Sequence, residues 1–294
     1  IKDGPMTLTQ DEIERCRAFF HDPAYRALPA HSDTLEQALN TDVMFAAWYQ
    51  QNVAAHKQAG YAIVTICVKK TGFAPGDLDA DQMRFVADLA DNYSFGEMRI
   101  AHTQNIVFAD VEKDALYRLW QDLKTHDLEA DNLGLLNDMI CCPGGDFCAL
   151  ANAKSIPIAE SIQRRFSHEE LRDIGAVSLN ISGCMNACGH HHVGNIGILG
   201  VDITGEEYYQ VSLGGSADND TALGKIVGPA FSQEEIPLVI EKIVAVYKDQ
   251  RQADEAFLHT YQRIGMEPFK DALYAPKSAD SKRADTQDGT GARS

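Results

Sequence analysis

Apolar positions change period several times along the chain, and each change marks a predicted element. Thr9 and Glu12 are placed as in a capping box, and residues 34–57 carry apolar positions at mixed helical spacings. They predict a peripheral helical segment over 1–57. The run 61–69 is rich in β-branched residues and predicts a strand, and Gly72-Phe73-Ala74-Pro75-Gly76-Asp77 predicts a turn. Across 79–92, Met83, Val86, Ala87 and Ala90 recur at i, i+3, i+4, i+7, the spacing of an amphipathic helix whose face Leu89 widens. Residues 98–100 and 105–108 flank the polar stretch Ala101-His102-Thr103-Gln104 and predict a second strand region. A second helix is predicted over 114–124, with Leu116, Leu119, Trp120 and Leu123 on one face. Strand, helix, strand, helix over 58–128 suggests half of an α/β layered unit.

Residues 129–270 form the next block. It predicts a helix at 159–165, then an apolar strand at 176–181 that runs into Ser182-Gly183-Cys184. Strands follow at 195–201 and 207–213, the second ending in Gly214-Gly215, and a strong helix at 233–250. From 275 to 294 the composition collapses to Lys, Ser, Asp, Arg, Thr and Gly, which predicts a disordered tail. The class expected is α/β (α+β), with a mixed sheet in the second block.

Composition narrows the function classes. Hydrophobic residues make up 45% and charged residues 23% of 294, as in an ordinary globular protein, which excludes a chain disordered throughout. A formal net charge of −17 opposes long-range attraction to nucleic acid and to anionic membrane, so neither is an expected partner. No apolar run approaches the roughly 18–20 residues that span a bilayer. No basic start with an apolar core signals export, so a cytoplasmic location is expected.

Seven cysteines lie at positions 16, 67, 141, 142, 148, 184 and 188, five of them within 48 residues. An odd, clustered set without export signals reads as metal or redox chemistry rather than a disulfide framework. Cys67 lies in an apolar run and reads as a core residue. Two pairs stand out: Cys142-Pro-Gly-Gly-Asp-Phe-Cys148 and Cys184-Met-Asn-Ala-Cys188, with 35 residues between them. Four thiolates from two loops suit the four irons of a cubane, one per iron. The alternative is a structural zinc held by the same four, although such sites favour tighter C-x2–4-C knuckles. The run His190-His191-His192 also tempts a metal assignment, but three consecutive side chains cannot all face one ion.

These motifs, with Asn180-Ile-Ser-Gly-Cys-Met-Asn-Ala-Cys-Gly-His-His and Gly194-Asn-Ile-Gly, resemble the sirohaem-dependent nitrite and sulfite reductases, more narrowly their haemoprotein component. The resemblance covers about 58–270. It implies a ferredoxin-like half-domain at 58–128, then a sirohaem and 4Fe–4S domain at 129–270. It implies Cys142, Cys148, Cys184 and Cys188 as cluster ligands, Cys188 also bridging to the sirohaem iron, and Cys141 as a bystander. Asn186 is expected to hydrogen-bond the macrocycle or the cluster loop. Arg99, Gln104 and Asn105, in Arg99-Ile-Ala-His-Thr-Gln104-Asn105, resemble a segment that approaches the macrocycle; the resemblance implies Arg99 as partner of a sirohaem carboxylate, with Gln104 and Asn105 donating to others, and the alternative for Arg99 is a strand-end surface arginine. Position 195, often Asp in the family, is Asn here.

The activity implied is six-electron reduction of sulfite to sulfide, or of nitrite to ammonia, with sulfite slightly favoured. Electrons would come from a ferredoxin or a flavoprotein. Only the family's second half is matched, so the chain, opening at Ile1, is expected to be a C-terminal portion, the alternative being a half-length subunit that pairs with another chain. The Arg and Lys residues that hold the oxyanion are then expected in the other half. The rival readings are a non-catalytic iron–sulfur electron-transfer module and a zinc-stapled interaction domain.

Overall fold

The computed structural model describes residues 4, 7–21 and 23–275, so the predicted tail lies, from 276 on, outside the described residues. The chain forms two compact units. The first comprises Ile1–Val68 with Leu78–Leu133, the second Lys69–Asp77 with the chain from Gly134 on.

In the first unit α1 (Gln10–Arg17) starts at Thr9, whose hydroxyl accepts the Glu12 N–H at 3.3 Å. Only that half of the predicted capping box forms, because Arg15 holds the Glu12 carboxylate through two bonds of 2.9 and 2.6 Å. Two short helices follow. Ser32 caps α2 (Asp33–Thr41), and Asp42 caps α3 (Val43–Asn52) by accepting the Met44 and Phe45 N–H groups, both at 3.0 Å. Those bonds, the Phe45 one foremost, hold the Asp42 carboxyl below its ordinary range. The chain then enters β1 (Val53–Ala55). Phe45 and Trp48 are 0% and 1% exposed and join Leu35 and Ala38 in the core, so residues 33–55 are not peripheral. Each helix is too short to display a clear period, and the break at Asp42 blurs the pattern.

Next come β2 (Tyr61–Ile66), α4 (Ala80–Tyr93), β3 (Arg99–Ile100), β4 (Ile106–Glu112) and, after a 3-10 turn, α5 (Leu116–Lys124). A reciprocal capping box of Asp79 and Gln82 opens α4. Its buried face is Val86, Leu89 and Ala90, with Phe85 and Tyr93 packed alongside, whereas the predicted Met83 is exposed. The face that meets the core is therefore rotated by about one residue from the one that the alanines suggested. On α5 all four predicted residues are buried. The sheet has the order β1-β2-β4-β3 and is antiparallel throughout.

The second unit contains β5 (Ile140–Cys141), α6 (Gly144–Phe147), α7 (Ile156–Gln163), α8 (His168–Ile174), β6 (Leu179–Ser182), β7 (Ile196–Ile203), β8 (Glu206–Leu213), β9 (Lys225–Ile226), α9 (Ile236–Gln250), α10 (Phe257–Ile264) and α11 (Glu267–Tyr274). Its sheet runs β5-β6-β7-β8-β9, with β5, β6 and β7 parallel and β7, β8 and β9 antiparallel. Thr204 (φ 56°) and Gly205 (φ 88°) close the β7–β8 hairpin with the left-handed backbone that matches strand twist. The predicted strand start at 176 shrinks to a single bridge between Ala176 and Leu135. Ile158, Ile162, Ile181, Ile198, Val211, Ile240, Ile243, Phe257 and Phe269 share one apolar core.

Candidate cofactor site

Parallel strands β5 and β6 lie side by side, Cys141 in register with Ile181, so both release their loops at the same end of the sheet. The carboxyl ends of parallel strands are where open α/β sheets bind ligands. Cys142 follows β5 directly, its N–H bonded to Ile181 O at 3.1 Å. One turn of α6 then brings Cys148, whose N–H returns to Gly144 O at 2.9 Å. Gly144 has φ 57°, and a Cβ there would lie 2.4 Å from Ser155 N, so the turn requires glycine.

Cys184 lies two residues past β6. The turn to Cys188 closes through Ala187 N to Cys184 O (3.1 Å) and His190 N to Ala187 O (2.8 Å), with Ala187 and His190 both left-handed. Gly189 between them packs so tightly that a Cβ would approach Ile181 O to 2.0 Å. The two loops also clasp each other: Asn152 and Ala153 both donate N–H to Gly183 O, at 2.9 and 3.0 Å.

Polar groups already converge on the first thiol. Gly183 N–H points at Cys142 Sγ at 3.1 Å, and Ser155 Oγ lies 3.4 Å from the same sulfur. Cys142 and Cys184 are buried, Cys148 is half-buried and Cys188 is exposed. Phe147, Leu150 and Met185, beside these cysteines in sequence, are also exposed. No three of the cysteine sulfurs lie within 4.8 Å of one another. A single tetrahedral zinc, at Zn–S of about 2.3 Å, requires sulfurs only about 3.8 Å apart. A group with a separate metal for each sulfur accommodates donors set further apart. Cys141 points elsewhere: it belongs to the apolar core, its Sγ donates to Cys142 O at 3.3 Å, and burial pushes its thiol well up.

Comparison with known proteins identifies the family to which this region belongs. A family profile described as the nitrite and sulphite reductase 4Fe-4S domain matches residues 135–279, and one described as the nitrite/sulfite reductase ferredoxin-like half domain matches 55–126. The chain belongs to the nitrite/sulfite reductase family. It is 28% identical to the chloroplastic ferredoxin–nitrite reductase of Arabidopsis thaliana, over 71% of this chain and 36% of that protein. It is 27% identical to sulfite reductase [ferredoxin] 2 of Mycolicibacterium paratuberculosis, over 63% of this chain and 36% of that protein. The chain therefore spans well under half the length of these relatives. Its fold resembles that of the Mycobacterium tuberculosis NirA protein, with a TM-score of 0.62 and 22% identity over 74% of this chain and 41% of that one. Dissimilatory sulfite reductase I gives 0.61 and 15% over 73% and 69%.

As a member of the nitrite/sulfite reductase family, the chain belongs among proteins that carry sirohaem and a 4Fe–4S cluster. The remaining candidate residues take different positions. Asn186 is exposed between the second cysteine pair and has no hydrogen-bond partner among the described residues. In the first unit, Arg99 on β3 is exposed and donates to Glu97 at 2.6 Å, a bond that raises its pKa further. Gln104 holds a left-handed turn residue (φ 60°) in the β3–β4 hairpin and is half-buried. Asn105 is fully buried, and its Oδ1 accepts the Val68 N–H at 3.2 Å, which makes it a brace for the hairpin.

The three histidines diverge. His190 and His192 are exposed, while His191 is 3% exposed with a buried Nδ1 that meets no partner among the described residues. Burial, then neighbouring His192, lowers the His191 pKa to about 4. Asn195 is a structural junction: Oδ1 accepts Ser178 N–H at 3.1 Å, and Nδ2 donates to Gly215 O at 3.0 Å. An aspartate would lose that second bond, which accounts for the amide at this position.

The motifs did not reveal Ser155 and Gly183 as partners of Cys142. Neither did they reveal a buried ion pair, Lys69 with Asp138, in the same unit. The one local hint was a double lysine at the end of an apolar strand run.

Proposed function

We propose that Cys142, Cys148, Cys184 and Cys188 hold a 4Fe–4S cluster, and that Cys188 shares its thiolate with a sirohaem iron. The chain then supplies the cluster-bearing part of a six-electron reductase that converts nitrite to ammonia or sulfite to sulfide. The observation that carries this reading is the delivery of two thiol pairs from the carboxyl ends of adjacent parallel strands, with the Gly183 N–H on Cys142 Sγ and the Ser155 hydroxyl beside it. Cys188 suits the shared role because it is the exposed member of the four. When bound, the coupled centre supplies single-electron transfer and a site for the substrate's nitrogen or sulfur.

The protein's part is positional and electrostatic. The Gly183 N–H stabilises the thiolate of Cys142, while the 142–155 and 183–190 loops keep the donors apart by packing on each other. Asn186 in the second unit is a candidate for polar contact with the macrocycle. The family resemblance implies the same for Arg99 and Gln104 of the first unit, whose hairpin Asn105 braces. The basic groups that grip the oxyanion lie in sequence that the relatives possess beyond the matched region. Relatives named for ferredoxin support a ferredoxin as electron donor.

An anaerobic absorption spectrum of the purified chain with sirohaem added back tests this reading. An intense Soret band with a chlorin-type band in the red supports the coupled centre, and Cys188→Ser then abolishes the coupling. A broad brown shoulder alone supports the cluster and shifts the reading to an electron-transfer module. A colourless folded protein overturns it.

A further inference from the structure

Tyr209 on β8 carries a hydroxyl that the core does not require. The residue is 0% exposed and belongs to the apolar core, where a phenylalanine would fill the same space. A buried phenol needs a hydrogen-bond partner. This one donates to Lys154 O at 2.8 Å, with Glu207 Oε2 3.2 Å away. Glu207, two residues earlier on the same face of β8, accepts the Lys154 N–H at 3.0 Å. Both backbone groups of Lys154 are thus held by side chains of one strand, 53 and 55 residues further along the chain.

Lys154 is the middle of the strap that ends the first cysteine loop. Before it, Ala153 accepts the Gly145 N–H at 2.9 Å and donates to Gly183 O at 3.0 Å, which joins the strap to both loops. After it, Ser155 is 0% exposed and its Oγ lies 3.4 Å from Cys142 Sγ. β7 leaves room for the crossing. Gly200 stands opposite Tyr209, and a Cβ there would lie 2.7 Å from Ala153 Cβ and 3.0 Å from Gly183 O. The peptide between Lys154 and Ser155 is planar, so a held Lys154 O also fixes the Cα of Ser155. One hydrogen bond, one peptide and one side chain therefore connect the Tyr209 hydroxyl to the Cys142 sulfur. A metal-bound cysteine sulfur carries no proton, so in the ligated state only the Ser155 hydroxyl can donate. Hydrogen bonds to the sulfurs are among the features that set a cluster's potential.

We infer that Tyr209 and Glu207 are positioning residues for the first cysteine loop, clamping Lys154 so that the Ser155 hydroxyl meets Cys142. The inference rests on the reading that Cys142 is a cluster ligand. Reduction adds negative charge at the ligated sulfurs, and a donor held against one of them favours the reduced state. Loosening the clamp then makes reduction harder without removing any ligand. A hydroxyl that served only the stability of the fold would not act through Ser155.

The test is an anaerobic redox titration of the cluster-loaded chain, followed by electron paramagnetic resonance, with iron content and the thermal transition measured on each sample. Ser155→Ala is expected to lower the midpoint potential by about 59 mV, a tenfold change in the reduced-to-oxidised ratio for one electron. Tyr209→Phe is expected to act in the same direction, by about threefold in that ratio, and to add nothing in the Ser155→Ala background. Tyr247→Phe removes another buried hydroxyl, one that donates to Glu255 O at 3.0 Å, and is expected to cost similar thermal stability without any shift. Glu207→Gln and Glu207→Ala lose the same charge, but only the second loses the acceptor, so the second is expected to give the lower potential. An unmoved potential in Ser155→Ala or Tyr209→Phe, an equal shift in Tyr247→Phe, additive shifts in the double variant, or equal potentials for the two Glu207 variants each overturn the inference. If Tyr209→Phe does not fold, the Glu207 pair decides. A parent protein without any cluster signal overturns the ligand assignment and the inference with it, whereas a clustered parent with unmoved variants overturns the inference alone.

Discussion

The two sheets of this protein solve different problems. In the first unit every strand neighbour is antiparallel, and between β3 and β4 the chain turns at once through Gln104. Backbone groups at that end are used locally: Ala101 N bonds Asn105 O at 2.9 Å and Gln104 N bonds Ala101 O at 3.0 Å. In the second unit β5, β6 and β7 run parallel, so after β5 and after β6 the chain must leave the sheet and return by a longer path. Those exits carry the thiols, held by glycines with no room for a side chain. Antiparallel pairing closes an end, whereas parallel pairing opens one, and both cysteine pairs sit at the open end.

The contrast is broken most severely at the ligands. Cys184→Ser is expected to reduce bound iron more than tenfold while the thermal transition of the first unit stays in place. Iron analysis beside circular dichroism checks this, and retention of full iron would remove Cys184 from the donor set. The reverse experiment acts on the other sheet. Phe45→Ala opens a cavity at a residue that is 0% exposed and is expected to destabilise the first unit by about 3–5 kcal/mol, with the cluster spectrum unchanged. Denaturant melts read at both the cluster absorbance and the far ultraviolet separate the two effects.

Acid provides a smaller test within the second unit. The folded pKa of His191 is about 4, below its ordinary 6.5, so folding favours the neutral ring. That stability is complete above pH 6.5 and is lost as the pH falls from 6.5 toward 4, by an amount on the order of 2 kcal/mol. His191→Leu is expected to flatten the acid limb of a stability-against-pH profile, and an unchanged limb would assign the slope to other groups. The smallest effect belongs to Cys141→Ser. The new hydroxyl can still donate to Cys142 O, so a loss of about 1 kcal/mol is expected with the spectrum intact. Bleaching would instead show that the first cysteine pair begins one residue earlier.

Periodic and motif-borne features were readable from the residues themselves. The face Leu116-Leu119-Trp120-Leu123 is buried as its spacing predicts, and the strands at 61–66, 196–203 and 206–213 follow runs that alternate or bury as they should. The two cysteine pairs and their interval were equally plain, because a ligand's chemical identity survives in one dimension. Other features were invisible for a common reason. The rotation of α4 that exposes Met83, the burial of α3, and two-residue strands such as β5 and β9 depend on partners far away in the chain. So do the Gly183 N–H on Cys142, 41 residues apart, and the Lys69–Asp138 pair, 69 residues apart. Local spacing determines which side chains share a face and which donors share a loop. Only tertiary packing decides which face is covered, which buried charges meet, and at which end of a sheet the two cysteine loops leave.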